Sequence, residues 1–144
     1  MSIPAYPFAI QDTALGARLT DIKNAAPLVY GPLVLSANTT LSVRQFFSMV
    51  ANGLLATTTA GSITVTMPTA ASILAAFPLE AGAQLKFSAG SSATAAGPNV
   101  LNIVGNTGFA LSNGAAIAIP AQTTRNIVVT CINPTTPLLV INAA

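Results

Sequence analysis

The stretch "SITVTMPTAASILAAFPLEAGAQLKFSAG", residues 62–90, changes its hydrophobic period twice. Its first segment alternates apolar with polar residues, which is typical of a half-buried strand. The apolar members of that segment are Ile63, Val65 and Met67. Pro68 ends the segment, and Thr69 is placed to cap a short helix that Pro78 then ends. Because alternation resumes after Gly82, the stretch predicts a strand, a two-turn helix and a second strand.

Short alternating segments separated by turns fill most of the remaining chain. "LLATTTAGSITVTM" reads as two Thr-rich strands about a turn at Ala60-Gly61, and Ser42 with Gln45 predicts a capping box at the start of another short helix. "RNIVVTCI" and "PLLVIN" flank a turn at residues 133–136 and form the clearest hairpin. Roughly eight or more short strands with two minor helices predict an all-β fold. We expect an antiparallel β-sandwich or barrel, jelly-roll-like in type.

The N-terminal residues differ from the rest in their charge and proline content. We interpret residues 1–32 as an extended N-terminal arm and residues 33–144 as the β-sandwich domain. Alternating apolar residues in the arm could pair as an edge strand, either within the same domain or swapped onto a neighbour, and both alternatives stay open. Two basic residues could orient the arm. The predicted interaction residues are therefore Tyr6, Phe8, Ile10, Arg18 and Lys23.

The chain contains very few charges for its length. Of 144 residues, 52% are hydrophobic and 6% are charged, against roughly 25% charged in ordinary soluble domains. The basic residues are scattered without a stripe, which argues against nucleic acid as a partner. Glycines and prolines interrupt the uncharged stretch between Lys86 and Arg125, so we expect no membrane-spanning helix. "MSIPAYPFAI" also lacks the basic and apolar regions of a signal peptide.

The residues that usually carry catalysis are sparse. The chain has no histidine, and its acidic residues Asp12, Asp21 and Glu80 are far apart in sequence. Ser72 falls in the first turn of a capped helix, which argues against a nucleophile paired with a lysine. The sequence therefore predicts no catalytic residue, no metal and no cofactor, and the protein is not expected to be an enzyme. The single Cys131 is interpreted as a small buried residue.

So few charges would leave little to keep free copies of the chain apart in solution. We therefore expect other chains to cover much of the surface. Closed rings of identical subunits do this with one evolved contact that repeats around the ring, and they also hide strand edges. The composition thus favours a homo-oligomer, and we expect a trimer.

The order of motifs resembles small β-rich structural domains of bacteriophages and large DNA viruses. The motifs are "TLSVRQFF", "ITVTMPTAASILAAFP", "AGAQLKFSA", "VLNIVGNTGFALSNG" and "IPAQTTRNIVVTCIN". The resemblance covers roughly residues 39–142, brings no catalytic residue, and implies a virion structural protein. The decoration or cement proteins of this group would place the trimer on the capsid surface, bound to the major capsid protein. Two alternatives are a head or tail fibre or spike module, and a glycan-binding β-domain that uses the Thr-rich segments at residues 57–59 and 64–66.

Overall fold

The computed structural model of the chain describes residues 31–112 and 114–144, which form ten strands and two helices. The predicted interaction residues Tyr6, Phe8, Ile10, Arg18 and Lys23 lie outside these described residues. The helices are α1 (Val43–Asn52) and α2 (Ala70–Ala76). The strands are β1 (Leu33–Leu35), β2 (Thr39–Thr40), β3 (Leu54–Thr57), β4 (Ile63–Thr66), β5 (Gln84–Ser92), β6 (Val100–Val104), β7 (Phe109–Leu111), β8 (Ile117–Pro120), β9 (Thr123–Asn133) and β10 (Leu138–Ala143).

The strands form two sheets that share one hydrophobic core. The first sheet has six strands in the order β1-β3-β5-β9-β10-β7, and the second has four in the order β2-β4-β6-β8. From β1 to β9, successive strands therefore alternate between the two sheets. The core lies between the inward faces of both sheets and the two helices.

The first six strands wind as three successive turns. Each turn contributes one strand to the first sheet and the next strand to the second, and a helix returns the chain after the first two turns. Equivalent strands stack in parallel, so that Leu54 lies opposite both Leu33 and Ala89. In the second sheet Val65 lies opposite both Thr39 and Ile103.

The later strands close the fold mainly by antiparallel pairing. β9 runs antiparallel to β5, and β8 runs antiparallel to β6. β9 and β10 form an antiparallel hairpin, which confirms the hairpin predicted on either side of residues 133–136. β7 then pairs in parallel with β10 at the far edge of the first sheet.

The prediction of an antiparallel all-β sandwich or barrel is wrong, because the fold is mixed α/β with parallel and antiparallel pairs in both sheets. β3 and β4 show the reason. Their sequence fits two neighbouring strands about the Ala60-Gly61 turn, yet they lie in different sheets. Ala56 and Val65 are fully buried in the same core, one from each sheet. Alternation specifies the inward face of a strand and says nothing about its neighbour.

Local capping interactions set the starts of both helices, as the sequence predicts. The Ser42 hydroxyl accepts a hydrogen bond from the Gln45 N–H at 3.1 Å, and Gln45 Oε1 accepts one from the Ser42 N–H at 2.9 Å. Thr69 Oγ1 accepts from the Ser72 N–H at 3.3 Å. α1 buries Phe46 and Met49 in the core. Capping depends on residues three positions apart, so it can be predicted from sequence alone.

The turn at Gly108 forms hydrogen bonds with the start of α2 and with the start of β10. The Ala70 N–H donates to the Thr107 carbonyl, and the Leu139 N–H donates to the Gly108 carbonyl at 2.8 Å. Gly108 has a φ of +83°, and a Cβ there would lie 2.7 Å from the Ala70 Cβ and 2.8 Å from the Pro137 carbonyl oxygen. A side chain is therefore excluded both by backbone conformation and by contact with neighbouring main chain.

We predict that Gly108→Ala destabilises the protein much more than Gly82→Ala. Gly82 has a φ of +88° with open space around its Cα, so alanine there carries the left-handed backbone cost alone, roughly 1–2 kcal/mol. Alanine at 108 adds an overpacking cost of roughly 1–3 kcal/mol. Urea unfolding of both variants measures the difference, and equal free energies of unfolding would contradict this account of the turn.

Candidate interaction surface

The charged side chains of the described residues do not converge on a catalytic centre. They are Arg44, Glu80, Lys86 and Arg125, which lie on α1, in the loop after α2, on β5 and on β9. The described part of the chain has no group of three His, Cys, Asp or Glu residues that could hold a metal ion. The Ser72 hydroxyl donates to the Thr69 carbonyl at 2.8 Å and so belongs to the start of α2. Among residues 31–112 and 114–144, no helix has the length and apolar character needed to cross a membrane.

The largest candidate site is the outer face of the first sheet, which points away from the core. Strand alternation and register assign to it residues 34, 55, 57, 84, 86, 88, 90, 92, 110, 124, 126, 128, 130, 140 and 142. Lys86 is the one charged residue among these positions. The others are small, hydroxyl-bearing, amide-bearing or aliphatic. Another protein surface that covered such a face would have to desolvate few charged groups.

An apolar patch marks the β1 end of this outer face. Val34, Leu55, Gly90 and Thr124 lie side by side on four neighbouring strands. A Cβ at Gly90 would lie 3.3 Å from Leu55 Cδ1, so the Leu55 side chain lies across the glycine. Val34 is 58% exposed, the largest exposure among the large hydrophobic residues of the described chain. We call Val34 and Leu55 the edge patch.

An open depression of about 410 Å³ lies over the paired strands β5 and β9. Ser88 and Asn126 cross it with a hydrogen bond of 2.9 Å between their side chains. Lys86, Val128 and Ala144 complete its rim. The depression therefore lacks the convergent polar groups of a small-molecule site.

The first turn of the fold also has unpaired strand edges within the described residues. β1 pairs with β3 alone, and β2 pairs with β4 alone. The Leu33 N–H donates to the Gly53 carbonyl at 2.9 Å, and the Leu41 N–H donates to the Thr66 carbonyl at 2.9 Å. Since backbone groups of successive strand residues point to opposite sides, those of Val34 and Thr40 point to the free edge.

The Thr-rich segments predicted as a possible glycan surface have different positions in the structure. Thr58 is fully buried, and its hydroxyl lies 2.8 Å from the Ser91 hydroxyl, so residues 57–59 do not form one exposed face. Thr64 and Thr66 do lie on the outer face of the second sheet, where Thr66 is opposite Thr40 and Thr64 is opposite Asn102. Among the described residues, the side chains of these four residues form no hydrogen bonds with the protein.

The sequence did not reveal the edge patch. "PLVL" at residues 32–35 is one of many short apolar runs, and the exposure of Val34 depends on β1 lying at the end of a sheet. The Pro32 that precedes β1 is the one local signal, because proline in a sheet is confined to edges and strand starts. Comparison with protein-family models, curated proteins and solved structures gave no significant match.

Cys131 is buried in the core on β9, which confirms its interpretation as a small buried residue. Burial raises the pKa of the Cys131 thiol, because the thiolate would lose hydration. The sulfur lies 3.9 Å from the Leu79 carbonyl oxygen, a weak contact. The reactive thiolate is therefore scarce and shielded at neutral pH.

We predict that iodoacetamide leaves Cys131 unmodified in the native protein at pH 7 and modifies it fully in urea. Burial and the raised pKa both slow the reaction in the folded state, and unfolding removes both. Intact mass spectrometry of the two samples measures the modified fraction. Rapid alkylation of the native chain would contradict the buried position of the thiol.

Proposed function

We propose that the protein is a virion structural protein, a capsid decoration or cement protein that binds the major capsid protein as a homotrimer on the capsid surface. One observation carries the proposal. The outward-facing strand positions of both sheets contain one charged residue, Lys86, within the described chain. Ordinary soluble surfaces are about 25–35% charged. Broad uncharged faces are suited to being covered by other subunits.

Covering these faces would stabilise an assembly by ordinary hydrophobic burial. Each square ångström of apolar surface removed from water contributes about 25 cal/mol. The outer face of the first sheet presents aliphatic Val34, Leu55, Val128 and Val140 together with small polar side chains. A broad face of this kind, without converging polar groups, gains little from a small ligand and much from a second protein surface.

The free strand edges support an assembly in a second way. β1 and β2 end their sheets within the described residues and bear no charged side chain. Natural proteins protect exposed edges with charges, bulges, covering segments or very short strands, and of these β1 and β2 show the short length, with three and two residues. Neighbouring subunits in a closed ring can provide that cover with one repeated contact. The motif order that resembles virion domains is consistent with such a role.

Two alternatives have some support. A head or tail fibre or spike module is favoured by the winding of three stacked turns, the first of which is open within the described residues. A glycan-binding β-domain is favoured by the available side chains of Thr40, Thr64, Thr66 and Asn102 on the second sheet. No aromatic residue lies on the strands of that sheet, although sugar-binding platforms favour aromatics. Binding to capsids emptied of their genome separates the decoration role from both alternatives.

We predict that the full chain is a stable trimer at micromolar concentration, because burying its uncharged faces offsets the cost of association. Light scattering coupled to size exclusion should give three times the 14.4 kDa chain mass. The same mass should persist at high salt, since screening weakens ionic contacts and leaves apolar contacts intact. A soluble 14.4 kDa monomer under these conditions would remove the main support for an assembly role.

We predict that a chain beginning at residue 27 folds but loses oligomerisation and capsid binding. The buried core residues of the described domain begin at Leu35, so the fold should survive the deletion. The deletion removes the proposed contact residues Tyr6, Phe8 and Ile10. Circular dichroism checks folding, and co-sedimentation with emptied capsids measures binding.

The matched control for the deletion is the full chain with Arg18→Ala and Lys23→Ala. Surface ion pairs contribute at most about 1 kcal/mol each, so this variant should bind almost normally. If the truncated chain decorates emptied capsids as tightly as the full chain does, the arm is not a contact segment.

A further inference from the structure

We propose that the free edge of β1 is the acceptor site for residues 6–10 from the arm of a neighbouring copy of the chain. The inference rests on the proposed function in one respect, namely that the protein is a homo-oligomer. The added segment would become the outermost strand of the first sheet, next to Val34.

The backbone of β1 has the geometry that strand addition requires. Leu33 directs its N–H to the Gly53 carbonyl at 2.9 Å, so Leu33 and Leu35 direct their backbone groups to β3. Val34 directs its N–H and its carbonyl to the free edge. An antiparallel strand can exchange two hydrogen bonds with a single residue placed in this way. Val34 is therefore a ready pairing position.

The edge is short, with three residues after Pro32, but it carries no charged side chain and no bulge that would oppose strand addition. Leu33, Val34 and Leu35 carry no charge, and the Val34 side chain is 58% exposed. Leu55 continues the apolar surface on β3, because it lies opposite Val34 on the same face. An exposed apolar edge of this kind is a template for another strand.

The arm has a sequence that fits this edge. Tyr6, Phe8 and Ile10 alternate, so in an extended segment their side chains share one face and their backbone groups point to one side. Pro7 is out of phase with them, so its missing N–H would fall on the side away from β1. That is the side of an edge strand on which proline is tolerated. With Phe8 opposite Val34, the three side chains would extend the edge patch.

The arm is also long enough to reach another subunit. Ile10 and Gly31 are separated by 20 residues, which can span up to about 70 Å when extended. A small domain is about 30 Å across. Exchange of an arm between identical copies adds contacts without a new binding surface. A neighbouring copy is therefore the occupant that we infer.

Disulfide trapping between two full-length variants tests the proposal. One variant carries Phe8→Cys, and the other carries Val34→Cys with uniform ¹⁵N labelling. The two are mixed in mild denaturant, reassembled and oxidised. Residues of a hydrogen-bonded antiparallel pair have Cα atoms about 5.5 Å apart, which lies within the Cα separation that a disulfide spans. Cys131 is buried, and the unsubstituted chain controls for its background.

The expected result is a cross-linked product of mixed mass that joins Phe8→Cys in one copy to Val34→Cys in another. The matched control is Ala9→Cys, whose side chain would point to the opposite face, and we expect about tenfold less product from it. Val34 is exposed, so its substitution should leave the fold intact, which circular dichroism verifies.

Four other results would overturn the proposal. A cross-link confined to single chains of a Phe8→Cys, Val34→Cys double variant would show that β1 holds its own arm. A dominant product between two Val34→Cys chains would show that β1 pairs with another β1. Equal products from Phe8→Cys and Ala9→Cys would show unspecific contact. If light scattering shows an oligomer and no cross-link forms, the acceptor site alone is refuted. A monomeric mass would instead refute the proposed function itself.

Discussion

Burial of inward-facing apolar side chains in one core between two sheets is the constraint on which the rest of the structure depends. The chain satisfies it by crossing to the other sheet after almost every strand, so that strands of successive turns stack in parallel. α1 and α2 return the chain and add Phe46 and Ile73 to the core. The same winding leaves the first turn without a strand on its outer side within the described residues.

The interactions that could be predicted from sequence are local ones. The capping box at Ser42 and the β9–β10 hairpin join residues that are close in the chain, and both are present. The pairing of β3 with β5 could not be predicted in this way. In a hairpin, the residues after β3 would turn back to pair with the next strand in sequence. Thr58, which follows β3, instead hydrogen-bonds to Ser91, 33 residues later in the chain. Alternating patterns gave correct inward faces for β4 and β5, and their sheet partners depended on long-range packing.

The candidate site, too, has features that can be predicted from sequence and features that depend on long-range packing. The shortage of charged residues is a property of the composition and can be read from the sequence. The sequence alone does not show where the charges lie on the folded chain. The sheet register shows that Lys86 is the one charged residue on the outer strand positions of the described chain. The exposure of Val34 likewise follows from sheet order, which no short sequence window contains. Tyr6, Phe8 and Ile10 are predicted contact residues because they alternate, and they lie outside the described residues.

Amide hydrogen exchange at Val34 tests most directly whether an assembly completes the open first turn. The Leu33 amide is an internal reference, because it already donates to the Gly53 carbonyl within the subunit. We expect the Val34 amide to exchange slowly in the assembled protein and rapidly after dilution to single subunits, with Leu33 protected in both states. Rapid exchange at Val34 in the assembled protein would contradict the account.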